Sequence, residues 1–152
     1  MKLFLDTNAL IDLVARREPY VSDIGKLCIA AYFGDVQLWA STQSYADAYY
    51  VLRRAASAVE VKKALGATLE FFLVSGTFAA DLKPALPSDW HDIEDYLLAH
   101  SASRTGADYL VTRDKGLAAK SPVKAMTASE VLRYLEKERG LVYDEVTLSP
   151  DE

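Results

Sequence analysis

The sequence predicts an α/β domain in which a parallel sheet is wrapped by helices, and three observations carry that expectation. The run Lys2-Leu3-Phe4-Leu5 is apolar without alternation, as a strand buried on both faces must be, and it ends abruptly in Asp6-Thr7-Asn8. Ala107 to Thr112 repeats the pattern, a small apolar strand that stops at Arg113-Asp114. Between and beyond them, strand-like runs alternate with amphipathic stretches, the order expected of parallel strands joined by crossover helices. In open sheets of this kind, ligands lie outside the carboxyl ends of the strands, so Asp6 and Asp114 stand where such a fold puts its chemistry. Either acid alone reads equally well as a helix cap, but capping gives no reason for two strands to stop in the same way.

Taken in order, the first strand passes into a short helix over Ala9 to Val14, with Thr7 or Asn8 as its cap and Glu18-Pro19 as its break. Asp12 and Arg16 are spaced as a solvated i, i+4 pair on that helix, which marks Asp12 as a surface residue and not as a site residue. Tyr20 to Phe33 has Ile24, Leu27, Cys28 and Ala31 at helical spacing and Gly34 as a stop. Val36 to Ala40 reads as the next strand. Ser41 caps the helix that follows, where Tyr45, Tyr49 and Leu52 share a packing face beside Asp47. A further helix is expected over Val59 to Phe72, a short strand around Leu73 to Ser75, and a loop from Gly76 to Pro87. The acidic stretch from Ser88 to Asp95 opens another helix, with Ser88 or Asp89 as cap. Asp95, on a partly apolar face, is the carboxylate there that capping and dipole explain least. His91 and His100 have poor spacing for joint ligation with Asp95 and read as non-ligands. After the strand ending at Thr112 come a last short strand within Ser121 to Met126 and a helix to Gly140, opened by the capping box Thr127/Glu130.

The 152 residues, 51% of them hydrophobic, suit one domain with a real core, placed at residues 1–140, and an acidic tail at 141–152. No apolar run approaches the roughly 18 residues of a membrane span and no charged-then-apolar leader precedes the first strand, so the expectation is a soluble, cytoplasmic protein with no membrane partner. The single Cys28 excludes an intramolecular disulfide and reads as a buried structural thiol. A net charge of -5 argues against gripping nucleic acid by bulk charge, but it leaves room for a basic rim around cation-bound acids.

Asp6-Thr7-Asn8, the acidic helix with Glu94-Asp95, and Gly106-Ala107-Asp108-Tyr109-Leu110-Val111-Thr112-Arg113-Asp114 together resemble a PIN domain over roughly Lys2 to Leu135. The resemblance implies a three-layer α/β/α Rossmann-like sandwich with a central parallel sheet. It also implies a metal-dependent ribonuclease, of a kind that in small stand-alone form is often the toxin of a toxin–antitoxin pair. It assigns the family's first, third and fourth acids to Asp6, Asp95 and Asp114. The second, ordinarily a Glu, falls on Asp47, whose shorter side chain implies reach to an ion through a bound water. Asn8 and Thr112 match the polar residues that orient these acids. An RNA substrate, a cognate antitoxin and a second copy of the chain are the partners it implies.

The chemistry of the residues agrees. Carboxylates brought within about 5 Å repel by roughly 3 kcal/mol per ionised pair at an effective dielectric of 20. A bound Mg²⁺ or Mn²⁺ offsets that repulsion with oxygen ligands, and no Cys or His is placed for zinc. The expectation is RNA hydrolysis with Asp6, Asp95, Asp114 and Asp47 around the ion, and Arg113, Lys115, and Arg53 or Arg54 as a phosphate-holding rim. Three rivals stand beside it. A haloacid-dehalogenase-type phosphatase would want an acid where Asn8 stands. A non-catalytic PIN-like binding module is suggested by Asp47 in place of Glu. A structural domain would use all its acids as caps.

Overall fold

The computed structural model describes residues 1–144. Five parallel strands, β1 (Lys2–Leu5), β2 (Gln37–Ser41), β3 (Phe72–Ser75), β4 (Tyr109–Val111) and β5 (Ala125–Met126), form one sheet in the order β3-β2-β1-β4-β5. The chain steps outward from β1 to β3, then returns to the other side of β1 for β4 and β5. Strand order therefore reverses between β1 and β4, and their carboxyl ends flank the crevice where such sheets bind ligands.

Both faces are covered by helices: α1 (Thr7–Val14), α2 (Tyr20–Tyr32), α3 (Thr42–Leu52), α4 (Ala58–Thr68), α5 (Ala79–Ala85), α6 (Ile93–Arg104), α7 (Lys115–Lys120) and α8 (Ala128–Arg139). The pleat of β1 explains its unbroken apolar run. Leu3 and Leu5 pack with Leu27 of α2 and Val131 and Leu135 of α8, while Phe4 packs on the opposite face with Leu98 and Ala99 of α6 and Leu117 of α7. All three β1 side chains are fully buried. A satellite core joins Leu10 and Ile11 of α1 to Ala48 of α3 and Val61 and Leu65 of α4. The three-layer α/β/α sandwich expected from the sequence is the architecture observed.

Several elements differ from expectation. Phe72 opens β3, because α4 stops at Thr68. The stretch expected as a loop from Gly76 to Pro87 contains α5, whose Asp81 accepts from the backbone N–H of Phe78 and pairs with Arg104 of α6. Seven residues with a proline inside give no helical periodicity to read, so α5 is held by partners outside its own sequence. Asp92, not Ser88 or Asp89, caps α6, accepting from the N–H groups of Glu94 and Asp95 at 2.8 and 3.3 Å. Asp12 makes no pair with Arg16: α1 ends at Val14, and Arg16 lies past it in the left-handed region at φ 52°, where i, i+4 spacing has no meaning. The Thr127/Glu130 capping box is present on α8, which ends at Gly140 with φ 64°. Leu141 and Tyr143 then pack on the core, and the Tyr143 hydroxyl donates to Asp35 at 2.6 Å. Of the expected acidic tail, residues 145–152 lie outside the described residues.

Candidate active site

Asp6 is held by the strand beside it. Its N–H donates to the Val111 carbonyl at 3.0 Å, and its Oδ2 accepts from the Thr112 hydroxyl at 2.8 Å. The same hydroxyl oxygen accepts from the Asp114 N–H at 3.0 Å, so one threonine ties the two strand-end acids together. Asp6 occupies the N-cap position of α1, yet its carboxylate makes no capping hydrogen bond, and the cap assigned to Thr7 or Asn8 is not formed because α1 already begins at Thr7. The N–H groups of Thr7 and Asn8 act on this carboxylate only as weak donors, and Thr112 is its geometric partner. Asp114 does cap, with Oδ1 accepting from Gly116 and Leu117 of α7 at 2.8 and 3.1 Å. Thr7 and Ser44 share a hydrogen bond at 2.8 Å, which fixes the start of α3, and Asp47 lies one turn further along that helix.

These elements converge on one open cleft. Asp6, Asp47, Asp95 and Asp114 all line it, with Asn8 between them, and so do Asp92 and Glu94. Six carboxylates thus face a space whose lining holds no lysine, arginine or histidine. The protonation states record the crowding. Glu94 is pushed up to about 7, first by sharing a proton with the Asp47 carboxyl, then by burial and by the charges of Asp47, Asp92 and Asp95. Asp95 is pushed up to about 6 by burial, with Asp92, Asp114 and Asp6 adding to it. Asp6 is raised by burial and by Asp114, against the opposing hydrogen bond from Thr112.

Asp47 needs a proton or a cation beside it. Its Oδ1 accepts from Gln43 at 3.1 Å, and its buried Oδ2 has no donor among the described residues unless the neighbouring Glu94 carboxyl is protonated. The donor set is all oxygen, which suits a hard dication such as Mg²⁺ or Mn²⁺. Among the described residues no group of three or more Asp, Glu, His or Cys side chains is placed to hold a metal ion as it stands. An ion in this cleft would have to take fewer than three of these side chains directly and keep water for the rest of its shell.

Asp92 and Glu94 are cleft residues that sequence reasoning passed over, because first-turn carboxylates read as dipole partners and Asp92 is indeed a cap. Their signal was their place beside Asp95. The predicted basic rim is not gathered here. Arg53 donates to the Ala56 carbonyl at 2.8 Å, and neither it nor Arg54 or Lys115 lines the cleft. Arg113 turns aside to the buried Asp12, so the residue expected on the surface is a core anion and the expected phosphate holder is already paired. His100 stacks on Tyr96 and, like His91, does not line the cleft. Cys28 is buried, and burial pushes its thiol up to about 12.

Residues 2–116 match the family model of the PIN domain. No curated protein matches the sequence. Among solved structures, the chain is similar to VapBC2 from Rickettsia felis, bound to a DNA fragment from its promoter, at 15% identity and a TM-score of 0.61 over 84% of this chain and 98% of that one. It is also similar to Mycobacterium tuberculosis VapC20, described as a sarcin-ricin loop cleaving toxin, at 13% identity and a TM-score of 0.60 over 77% and 93% of the two chains. PAE2754 from Pyrobaculum aerophilum aligns at 20% identity and a TM-score of 0.63 over 89% of each chain. At these identities the likeness is one of fold.

Proposed function

Since the chain belongs to the PIN domain family, we propose that it is a metal-dependent endoribonuclease, the toxin of a toxin–antitoxin pair, acting in the cytoplasm. The observation that carries this reading is the convergence of six carboxylates from four separate segments on the crevice at the reversal of strand order. Asp6, Asp95 and Asp114 would hold a Mg²⁺ or Mn²⁺ ion, drawing together around it from their present spacing, and Asp47 would reach it through water. When bound, the ion lowers the pKa of a water and stabilises charge on the phosphodiester. The chain's own part is to orient and to move protons. Thr112 fixes Asp6 and Asp114 relative to each other, and Asn8 offers an amide beside them. Glu94, raised to about 7 beside the Asp47 carboxyl, can take up or release a proton in the cleft. An antitoxin protein is a proposed partner, in keeping with the VapBC2 structure among its fold relatives, and a second copy of the chain is proposed beside it.

The test is cleavage of a mixed single-stranded and structured RNA pool with Mg²⁺ or Mn²⁺, with EDTA, and with Asp6→Asn and Asp95→Asn variants shown to be folded. The expected result is metal-dependent cutting that both variants lose. No cutting by any preparation, together with no metal binding by titration, would leave a PIN-like binding module instead.

A further inference from the structure

Beside the acidic cleft, and sharing Asp6 and Asn8 with it, lies a second cavity of about 290 Å³. It is closed by the carboxyl ends of β1 and β4, the start of α2 and the first turn of α8. Much of its wall is aliphatic, from Ala9, Ile24 and Val111. One side is a flat plate, with the Arg113 guanidinium 4.0 Å over the Tyr20 ring. That guanidinium cannot swing. Nη2 donates to both Asp12 oxygens at 3.1 Å and Nε donates to Oδ2 at 3.3 Å, and Asp12 is only 2% exposed. Arg17 approaches the same carboxylate at 3.8 Å.

These features select the occupant. Arg113 is neutralised by Asp12, and Asp6 and Asp23 also line the cavity, so its charge disfavours a phosphate. Rigid aromatic and guanidinium planes beside aliphatic walls favour a flat, uncharged ring. The size is that of the smaller ligand sites and excludes a folded strand. Because the cavity and the acidic cleft share Asp6 and Asn8, the base next to a phosphate held at Asp6 would meet this opening. We infer that the cavity is a nucleobase subsite, in which the base next to the scissile phosphate stacks against the Tyr20–Arg113 plate. The inference rests on the nuclease reading above and adds to it a determinant of where the strand is cut.

The experiment uses one RNA and a series carrying a single abasic nucleotide at each position around the cut, with wild type, Tyr20→Ala and Tyr20→Phe. Both kcat/KM and binding by fluorescence anisotropy are measured. Wild type is expected to lose about tenfold at one abasic position, the scale of one stacked base. Tyr20→Ala loses the same factor on intact RNA and nothing more on that abasic RNA, where it matches wild type and so proves its chemistry intact. Tyr20→Phe keeps wild-type behaviour. If wild type cuts but no position shows a Tyr20-dependent base effect, or the two losses multiply, the subsite is overturned while the nuclease reading stands. If nothing is cut yet binding shows the Tyr20-dependent base effect, the subsite survives and the nuclease reading falls. If RNA is neither cut nor bound, both fall.

Discussion

Asp95 shows how one side chain can serve chemistry at the expense of the fold. It is half-buried among Asp92, Asp114 and Asp6, which together with its burial raise it to about 6. Asp95→Asn removes that repulsion while keeping the shape. The expected outcome is loss of RNA cutting with a metal-free Tm a few degrees higher, read by thermal denaturation in EDTA. A lower Tm would mean that the carboxylate is structural. Asp12 is the opposite case, an acid whose role is packing. Removing it leaves Arg113 unpaired. Because that arginine is 40% exposed, Asp12→Ala should cost about 2 kcal/mol in urea denaturation, below the range for a fully buried pair. The sequence made Asp6 and Asp114 readable through their matched strand ends. It hid the burial of Asp12, because spacing along α1 says nothing of a partner 101 residues away.

Among the elements, the turn from α6 into β4 sets where Asp114 arrives. Gly106 adopts φ 70° there, and a Cβ on it would meet nothing within 4 Å. Gly106→Ala is therefore a backbone effect alone, expected to cost roughly 1 kcal/mol with the native contacts kept. A much larger loss in urea denaturation would point to a steric clash instead. The longer helices were legible from their apolar stripes, helped by caps where Ser41 and the Thr127/Glu130 box stand, while α2 was legible with no side-chain cap at all. The short ones were not. The six residues of α7 carry no apolar stripe, and its cap, Asp114, reads from the sequence as a site residue as readily as a cap. The same double use concealed the start of α6: placing it at Ile93 puts Asp95 in the first turn, nearer the helix dipole than the sequence suggested.

For the whole molecule, the crowded acids fix how stability depends on pH. Glu94, Asp95 and Asp6 have folded pKa values above their unfolded ones. Below about pH 4 these groups are protonated in both states and contribute nothing. As pH rises toward about 7 the unfolded chain releases protons that the fold still holds, so stability falls. Glu60, Asp81 and Glu130 are lowered by hydrogen bonds at their helix starts, and they give stability that is lost as pH falls below about 4. In chelator, Tm should therefore peak near about pH 5 and decline to about pH 8, with added Mg²⁺ recovering more at the higher value. A profile flat across that span would show that the acids do not interact as described. The three-layer sandwich was legible from strand and helix alternation. The neighbourhood of the acids was not, since it depends on how four distant segments close on one another. That neighbourhood also governs approach. Most nucleic-acid-binding surfaces draw a polyanion in and weaken as salt rises. A mouth lined by six acids and no base presents the reverse field, in which monovalent salt screens a repulsion and eases entry. On the proposed reading, the approach of RNA is slowed by charge, and its speed is set by the surrounding ions as much as by the protein's own shape.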